Sequence, residues 1–134
     1  MRKITSIAAA LLLLAGAACS SETGIKVALD EYSIKLAQGD ITAGPQTFSV
    51  TDRGAIAHQF LVLRTNRPPD DLPVGKDGIV EVDAKGIDEV GELEILSPGA
   101  RETLDVRLRP GPYVLICNIS GHYGSGMHTG FHAR

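Results

Sequence analysis

Cys117, His122, Met127 and His58 would together offer a metal ion one thiol, one thioether and two imidazoles. Three of the four lie in a single stretch, CNISGHYGSGMHTGF (residues 117–131), with the spacing Cys-x4-His-x4-Met. Gly121, Gly124 and Gly126 allow such a loop to curl back toward one point, because glycine enters backbone conformations closed to other residues. A fourth donor must come from elsewhere, and His58 opens an apolar run far upstream. Thiolate and thioether are soft donors that favour Cu(I), whereas imidazole also suits Cu(II), so the mixture accommodates both oxidation states of copper. That chemistry is one-electron transfer rather than hydrolysis.

The same residues permit other readings. Cys117, His122 and His58 with His128 would make a tetrahedral CysHis3 zinc set, with Met127 idle. A copper-handling protein would hold the ion for delivery, but such chains are rich in Met and His, and after any leader is removed this one keeps a single methionine, Met127. A metal-free β-sandwich interaction module is the remaining alternative. His128 and His132 read as surface residues: neighbours on an extended chain point oppositely, so His128 faces away if Met127 faces the site. The Asp70-Asp71 pair reads as the solvated edge of a loop.

The elements that must position these donors have the period of strands. Ile25, Val27 and Leu29 alternate, then Tyr32, Ile34 and Leu36 alternate in the opposite phase, and the slip near Asp30 and Glu31 suggests a bulge that lets one strand change sheets. Residues 43–46 (AGPQ) read as a turn and 47–50 (TFSV) as a strand stopped by Asp52-Arg53-Gly54. HQFLVL follows as a central strand with His58, Phe60 and Val62 on one face. Residues 64–78, with three prolines and many charges, read as a long loop over the surface. A short strand is expected at 79–82 and a helical turn within 83–91. Leu104, Val106 and Leu108 alternate, and in YVLIC the side chains of Tyr113, Leu115 and Cys117 share one face. Short strands, Gly and Pro at the joints and no long amphipathic helix argue for an all-β fold, an antiparallel sandwich or barrel.

YVLICNISGHYGSGM resembles the copper-binding loop of the cupredoxins, the plastocyanin and azurin superfamily, with a spacing most like that of rusticyanin and sulfocyanin. AIAHQFLVL resembles the strand that carries that family's first histidine, and PGPY before the cysteine strand is also similar. The resemblance spans residues 25–134, with its specificity concentrated in the last twenty or so. It implies a Greek-key β-sandwich or barrel holding one type 1 copper, Cu(I)/Cu(II), with His58, Cys117 and His122 as equatorial ligands and Met127 as the weak axial one. It also implies hydrogen bonds to the thiolate from the N–H of Gln59 and from one in the copper loop. His122 would then be the solvent-exposed electron port, with Ile119, Gly121, Gly124 and Met127 forming a patch where redox proteins dock. Two features depart from the pattern: Gln59 stands where Asn or Ser is frequent, and HTGFHAR is short for a final strand. The implied role is a monomeric electron carrier with no catalysis of its own, since four protein ligands leave no open position for a substrate.

The N-terminus, MRKITSIAAALLLLAGAACSS, has two cations, an apolar run over residues 7–18 and small residues before Cys19, the pattern of a secretory signal peptide. The run falls short of the roughly 20 apolar residues that span a bilayer. LAGAAC resembles a bacterial lipoprotein signal, in which the cysteine is lipidated, although Gly16 stands where that pattern prefers Leu; simple cleavage is the alternative. The expected organisation is a signal peptide over 1–19, a short tether over 20–24 and one domain over 25–134, exported to the periplasm or cell surface and anchored to a membrane through Cys19. Loss of Arg2 and Lys3 from 13 cations leaves 11 against 16 acidic residues, a net charge near −5. With no basic cluster, that balance argues against nucleic acid as a partner. Cys117 would be the sole thiol of the folded domain, unable to form an internal disulfide.

Overall fold

A computed structural model describes residues 23–134; the expected leader, Cys19 and most of the tether lie outside the described residues. Among the described residues, nine strands form two sheets: β1 (Ile25–Asp30), β2 (Ser33–Leu36), β3 (Asp40–Ile41), β4 (Gly44–Asp52), β5 (His58–Thr65), β6 (Ile87–Leu96), β7 (Arg101–Leu108), β8 (Gly111–Ile116) and β9 (His128–Ala133). The strand order is β2-β1-β4-β7 in the first sheet and β3-β9-β8-β5-β6 in the second. No α-helix occurs among the described residues, and the all-β expectation stands. The sandwich is not purely antiparallel, because β1 pairs parallel with β4 and β3 parallel with β9. The chain leaves the first sheet after β2, touches the second as β3 and returns as β4, so β4 reaches β1 running the same way.

Period-2 burial builds the core. Ile25, Val27 and Leu29 of β1, Phe48 and Val50 of β4, Phe60 and Val62 of β5, and Tyr113 and Leu115 of β8 all point between the sheets. At about 25 cal/mol per Å2 of apolar surface buried, these fully enclosed side chains supply the main drive to close the sandwich. The opposite faces of β5 and β8 carry Leu61, Leu63, Val114 and Ile116, which form a second cluster with Leu72, Val80, Ile87 and Tyr123.

That second cluster changes the reading of the proline-rich segment. Residues 66–86 are a cover over the outer face of the second sheet, with Leu72 and Val80 buried beneath it. The strand expected at 79–82 reduces to an isolated bridge between Val74 and Val80. In place of a helical turn reaching residue 91, turns end at Gly86 and β6 begins at Ile87. β6 is a sheet edge interrupted by two register shifts against β5, so charged residues break its alternation. The slip near Asp30 and Glu31 is a tight hairpin, since β1 and β2 pair antiparallel with Asp30 opposite Ser33 in one sheet. Residues 44–46, expected as a turn, already belong to β4, and residues 128–133 form a full strand along β8.

Candidate metal centre

His58 begins β5 on the core-facing side and is completely buried. Its Nδ1 lies 3.1 and 3.2 Å from the two carboxylate oxygens of Asp52, which is equally buried. Asp52 continues the inward alternation of Phe48 and Val50 at the end of β4, so the first sheet delivers a carboxylate to a histidine on the second. The N–H of Gly54 donates to the same carboxylate at 2.9 Å. With one ring nitrogen so engaged, His58 keeps the other, Nε2, buried and without a partner. A buried polar atom left unpaired is costly, which points to a ligand for it.

Cys117 follows β8 directly and is fully buried. Its sulfur accepts the N–H of Gln59 at 3.3 Å, the contact expected from the family pattern, and a second backbone N–H from Ile119 in the loop. Burial pushes the thiol's pKa up; the two N–H groups pull it back, and the charge of Asp52 adds to the rise. His122 Nδ1 stands 3.4 Å from the sulfur. Two donors at about 2.3 Å (sulfur) and about 2.0 Å (nitrogen) from one tetrahedral ion would be about 3.5 Å apart, so this pair already has ligand spacing.

The loop is locally closed. His122 N–H donates to Ile119 O at 2.9 Å, Met127 N–H to His122 O at 3.1 Å and Cys117 N–H to Met127 O at 3.1 Å, so backbone bonds tie the three donors together. Gly121 and Gly126 take φ of 79° and 103°, conformations that favour glycine. Met127 is fully buried in the main core with Cys117. The cover pins the loop from outside: Tyr123 accepts the N–H of Leu72 and donates to Pro69 O, both at 2.9 Å, and Asn118 exchanges two hydrogen bonds with the backbone of Val80.

His122 does not present the open edge expected of an electron port. It is only 9% exposed, and its ring meets the edge of Tyr32 at 5.4 Å between centroids. Burial, followed by the charge of His58, lowers its pKa. Tyr32, 46% exposed, occupies the β1–β2 hairpin with φ of 58°, the left-handed region that costs a non-glycine residue about 1–2 kcal/mol. Neither Tyr32 nor Asp52 was recognised in the sequence as part of the site. Asp52 was legible in the Phe48, Val50, Asp52 alternation, whereas nothing local marks Tyr32.

Cys117 and His122 are brought together, and the His58 and His122 rings stand 5.4 Å apart between centroids. Among the described residues, no three His, Cys, Asp or Glu side chains are converged as a finished cage. His128 lies elsewhere: it pairs with Ile116, whose side chain belongs to the outer cluster, and its ring rests on Tyr123 at 5.0 Å. The zinc set thereby loses its fourth ligand. His132 is exposed, as expected.

Soft sulfur, two imidazoles and an unpartnered buried nitrogen suit a copper ion. No protein-family model matches the chain, and no curated protein sequence does. Solved structures do match. A dithionite-reduced auracyanin from Roseiflexus castenholzii superposes with a TM-score of 0.59 at 21% identity, over 84% of this chain and 97% of that one. An azurin from Methylomonas sp. strain J gives 0.59 at 15% identity, over 85% and 99%. Rusticyanin from Thiobacillus ferrooxidans gives 0.55 at 16% identity, over 81% and 76%. These are cupredoxins, and the chain has the cupredoxin fold.

Proposed function

We propose that this chain is a type 1 copper protein that carries single electrons between redox partners outside the cytoplasm. The observation that carries the reading is the buried pair of Cys117 sulfur and His122 Nδ1 at 3.4 Å, with the Gln59 N–H on the sulfur. His58, Cys117, His122 and Met127 are the side chains that would hold the ion. Copper bound there would supply a one-electron couple.

The chain's own groups prepare the rest. The raised thiol pKa keeps Cys117 protonated in the metal-free protein at neutral pH, so its proton must leave when the sulfur becomes a ligand. The N–H groups of Gln59 and Ile119 then face a thiolate and stabilise its charge. Burial of Cys117, Met127 and His58 excludes water, and four protein donors would leave no position for a substrate, which supports a carrier rather than an enzyme. Partners would dock at the His122 end, and a lipid on Cys19 would hold the monomer at a membrane.

The test is the visible and electron paramagnetic resonance spectrum of the mature protein with Cu(II), before and after a reductant. An intense thiolate-to-copper band with narrow hyperfine splitting, reversibly bleached, supports the reading. Cys117→Ser is expected to abolish the band while leaving a folded β protein by circular dichroism. A colourless wild-type protein, or a band that survives Cys117→Ser, overturns it.

A further inference from the structure

We infer that the cover, residues 66–86, holds the loop after β8 in its donor-ready form, and that Asn118 and Tyr123 are the positioning residues through which it does so. The inference deepens the copper reading and rests on it for the spectroscopic part of its test. Each of the two residues directly follows a donor, Asn118 after Cys117 and Tyr123 after His122. Cys117 packs in the main core with His122 against its sulfur, whereas Asn118 bonds to the cover and Tyr123 packs in the outer cluster. The donors and their anchors thus face opposite ways.

The Asn118 amide stands in for a neighbouring strand. β8 ends at Ile116, and two residues later the side-chain oxygen of Asn118 accepts the N–H of Val80 at 2.7 Å while its amide nitrogen donates to the carbonyl of Val80 at 3.1 Å. A strand partner would give Val80 the same pair of bonds. The side chain of Val80 is buried in the outer cluster, so the anchor point is itself fixed. The next N–H along the loop, that of Ile119, is the one directed at the Cys117 sulfur. Holding Asn118 therefore holds the approach of that N–H.

Tyr123 fastens the far side of the loop. Its hydroxyl donates to Pro69 O and accepts the N–H of Leu72, so it is engaged both as donor and as acceptor. Between the two anchors the Gly121 N–H donates to Gly78 O at 3.1 Å, and the Ser120 hydroxyl donates to Asp77 O. Cover and loop approach so closely there that a Cβ at Gly78 would stand 3.1 Å from the Gly121 nitrogen. A glycine-rich loop is costly to order, and bonds to a packed cover offset that cost. The 3.4 Å spacing of Cys117 sulfur and His122 Nδ1 accordingly needs no ion to form.

Asn118→Ala removes both bonds to Val80, and Tyr123→Phe removes the hydroxyl while keeping the ring. Val106→Ala, in the core-facing row of β7, weakens the fold without altering either anchor and serves as the control. In the metal-free mature protein, alkylation of Cys117 by iodoacetamide, read by mass spectrometry, should quicken about tenfold in each anchor variant, the scale of one or two lost hydrogen bonds. That increase should barely depend on urea below the unfolding transition, because opening a loop exposes little surface. In Val106→Ala any increase should follow urea steeply, as global unfolding does. With Cu(II) bound, the anchor variants should keep a thiolate band but show wider hyperfine splitting than the wild type, and Val106→Ala should match the wild type. Unchanged alkylation in the anchor variants, an increase as steep in urea as that of Val106→Ala, or unaltered splitting overturns the inference. If Asn118→Ala does not fold, Tyr123→Phe alone decides. A colourless wild type overturns the function, and the alkylation rates then still decide whether the cover holds the loop.

Discussion

The rings of His58 and His122 stand 5.4 Å apart between centroids, and they are held in unlike ways. His58 is wholly enclosed, bonded to a carboxylate, and fixed by two strands of different sheets. His122 sits in a glycine-rich loop, bonded to the Cys117 sulfur and to nearby backbone, with the ring of an exposed tyrosine against its own. The contrast separates two tasks within one site. The wall at His58 belongs to the core and can be altered only at the expense of the fold, while the wall at His122 is a loop with a half-exposed aromatic ring against it.

Removing each imidazole tests that division most strongly. Both His58→Ala and His122→Ala should abolish the thiolate band, yet their costs in the metal-free protein should differ. His58→Ala strands the Asp52 carboxylate in the core with one remaining donor, a loss of roughly 3 kcal/mol or more. His122→Ala loses packing near the surface, about 1 kcal/mol. Urea denaturation of the two variants reads the difference, and equal losses would erase the distinction between the walls.

Gly54→Ala applies a smaller stress to the same wall. The new methyl would press on Glu31 and on the His58 ring, at a distance real side chains do not adopt, so the ring or the 53–57 crossover must move. A cost of about 1–3 kcal/mol is typical of such overpacking. Copper affinity should fall with it, whereas the added methyl at an open position such as Gly39 should change neither quantity.

How much of this was legible in the sequence follows the same contrast. The strand that begins with His58 and the one that leads into Cys117 read as continuous apolar runs, because one face of each lies in the core and the other under the cover. The loop donors were legible from residue type and spacing. Asp52 looked like a strand terminator because Asp-Arg-Gly is a turn signal, although the inward phase of β4 had not ended at Val50. Residues 66–86 looked solvated because their prolines and charges outnumber the few anchors, Leu72 and Val80, that bury them against the outer face. β6 carried too weak an alternation for an edge interrupted by register shifts. Tyr32 was illegible for a physical reason: its contact with His122 bridges 90 positions of chain and depends on a left-handed residue that aromatic side chains rarely supply.

Tyr32→Gly should thin the outer wall further without unsettling the inner one. Glycine relieves the left-handed strain while the ring contact is lost, so the net change in stability should be under about 1 kcal/mol. His122 should become reachable. In the metal-free protein, diethyl pyrocarbonate labelling read by mass spectrometry should modify His122 several-fold faster than in the wild type, with His58 protected in both. If the rate at His122 does not change, the tyrosine is not its cover.

The smallest expected effect concerns what holds that tyrosine in place. Asp30, at the base of the hairpin, lies 2.9 Å from both Arg53 Nη2 and Lys35 Nζ, and the hydrogen bond to Arg53 above all, then that to Lys35, pulls its pKa from 3.8 to about 2. A carboxyl depressed in the folded state contributes stability above its unfolded pKa and loses it as pH falls through the folded value. Asp30→Asn should therefore be slightly less stable than the wild type at pH 7, and the gap should close between about pH 4 and pH 2. These partners are exposed, so the gap is small and should shrink further in high salt. Urea midpoints for both proteins along that pH series check the sign. A gap that persists at pH 2 and in salt would mean that the hairpin is held by shape rather than charge, and that Glu31, whose carboxylate accepts the N–H groups of Ala55 and Ile56, ties it to the crossover beside His58. The two walls would then be mechanically one, and a substitution at Gly54 should raise the labelling of His122 as well as disturb His58.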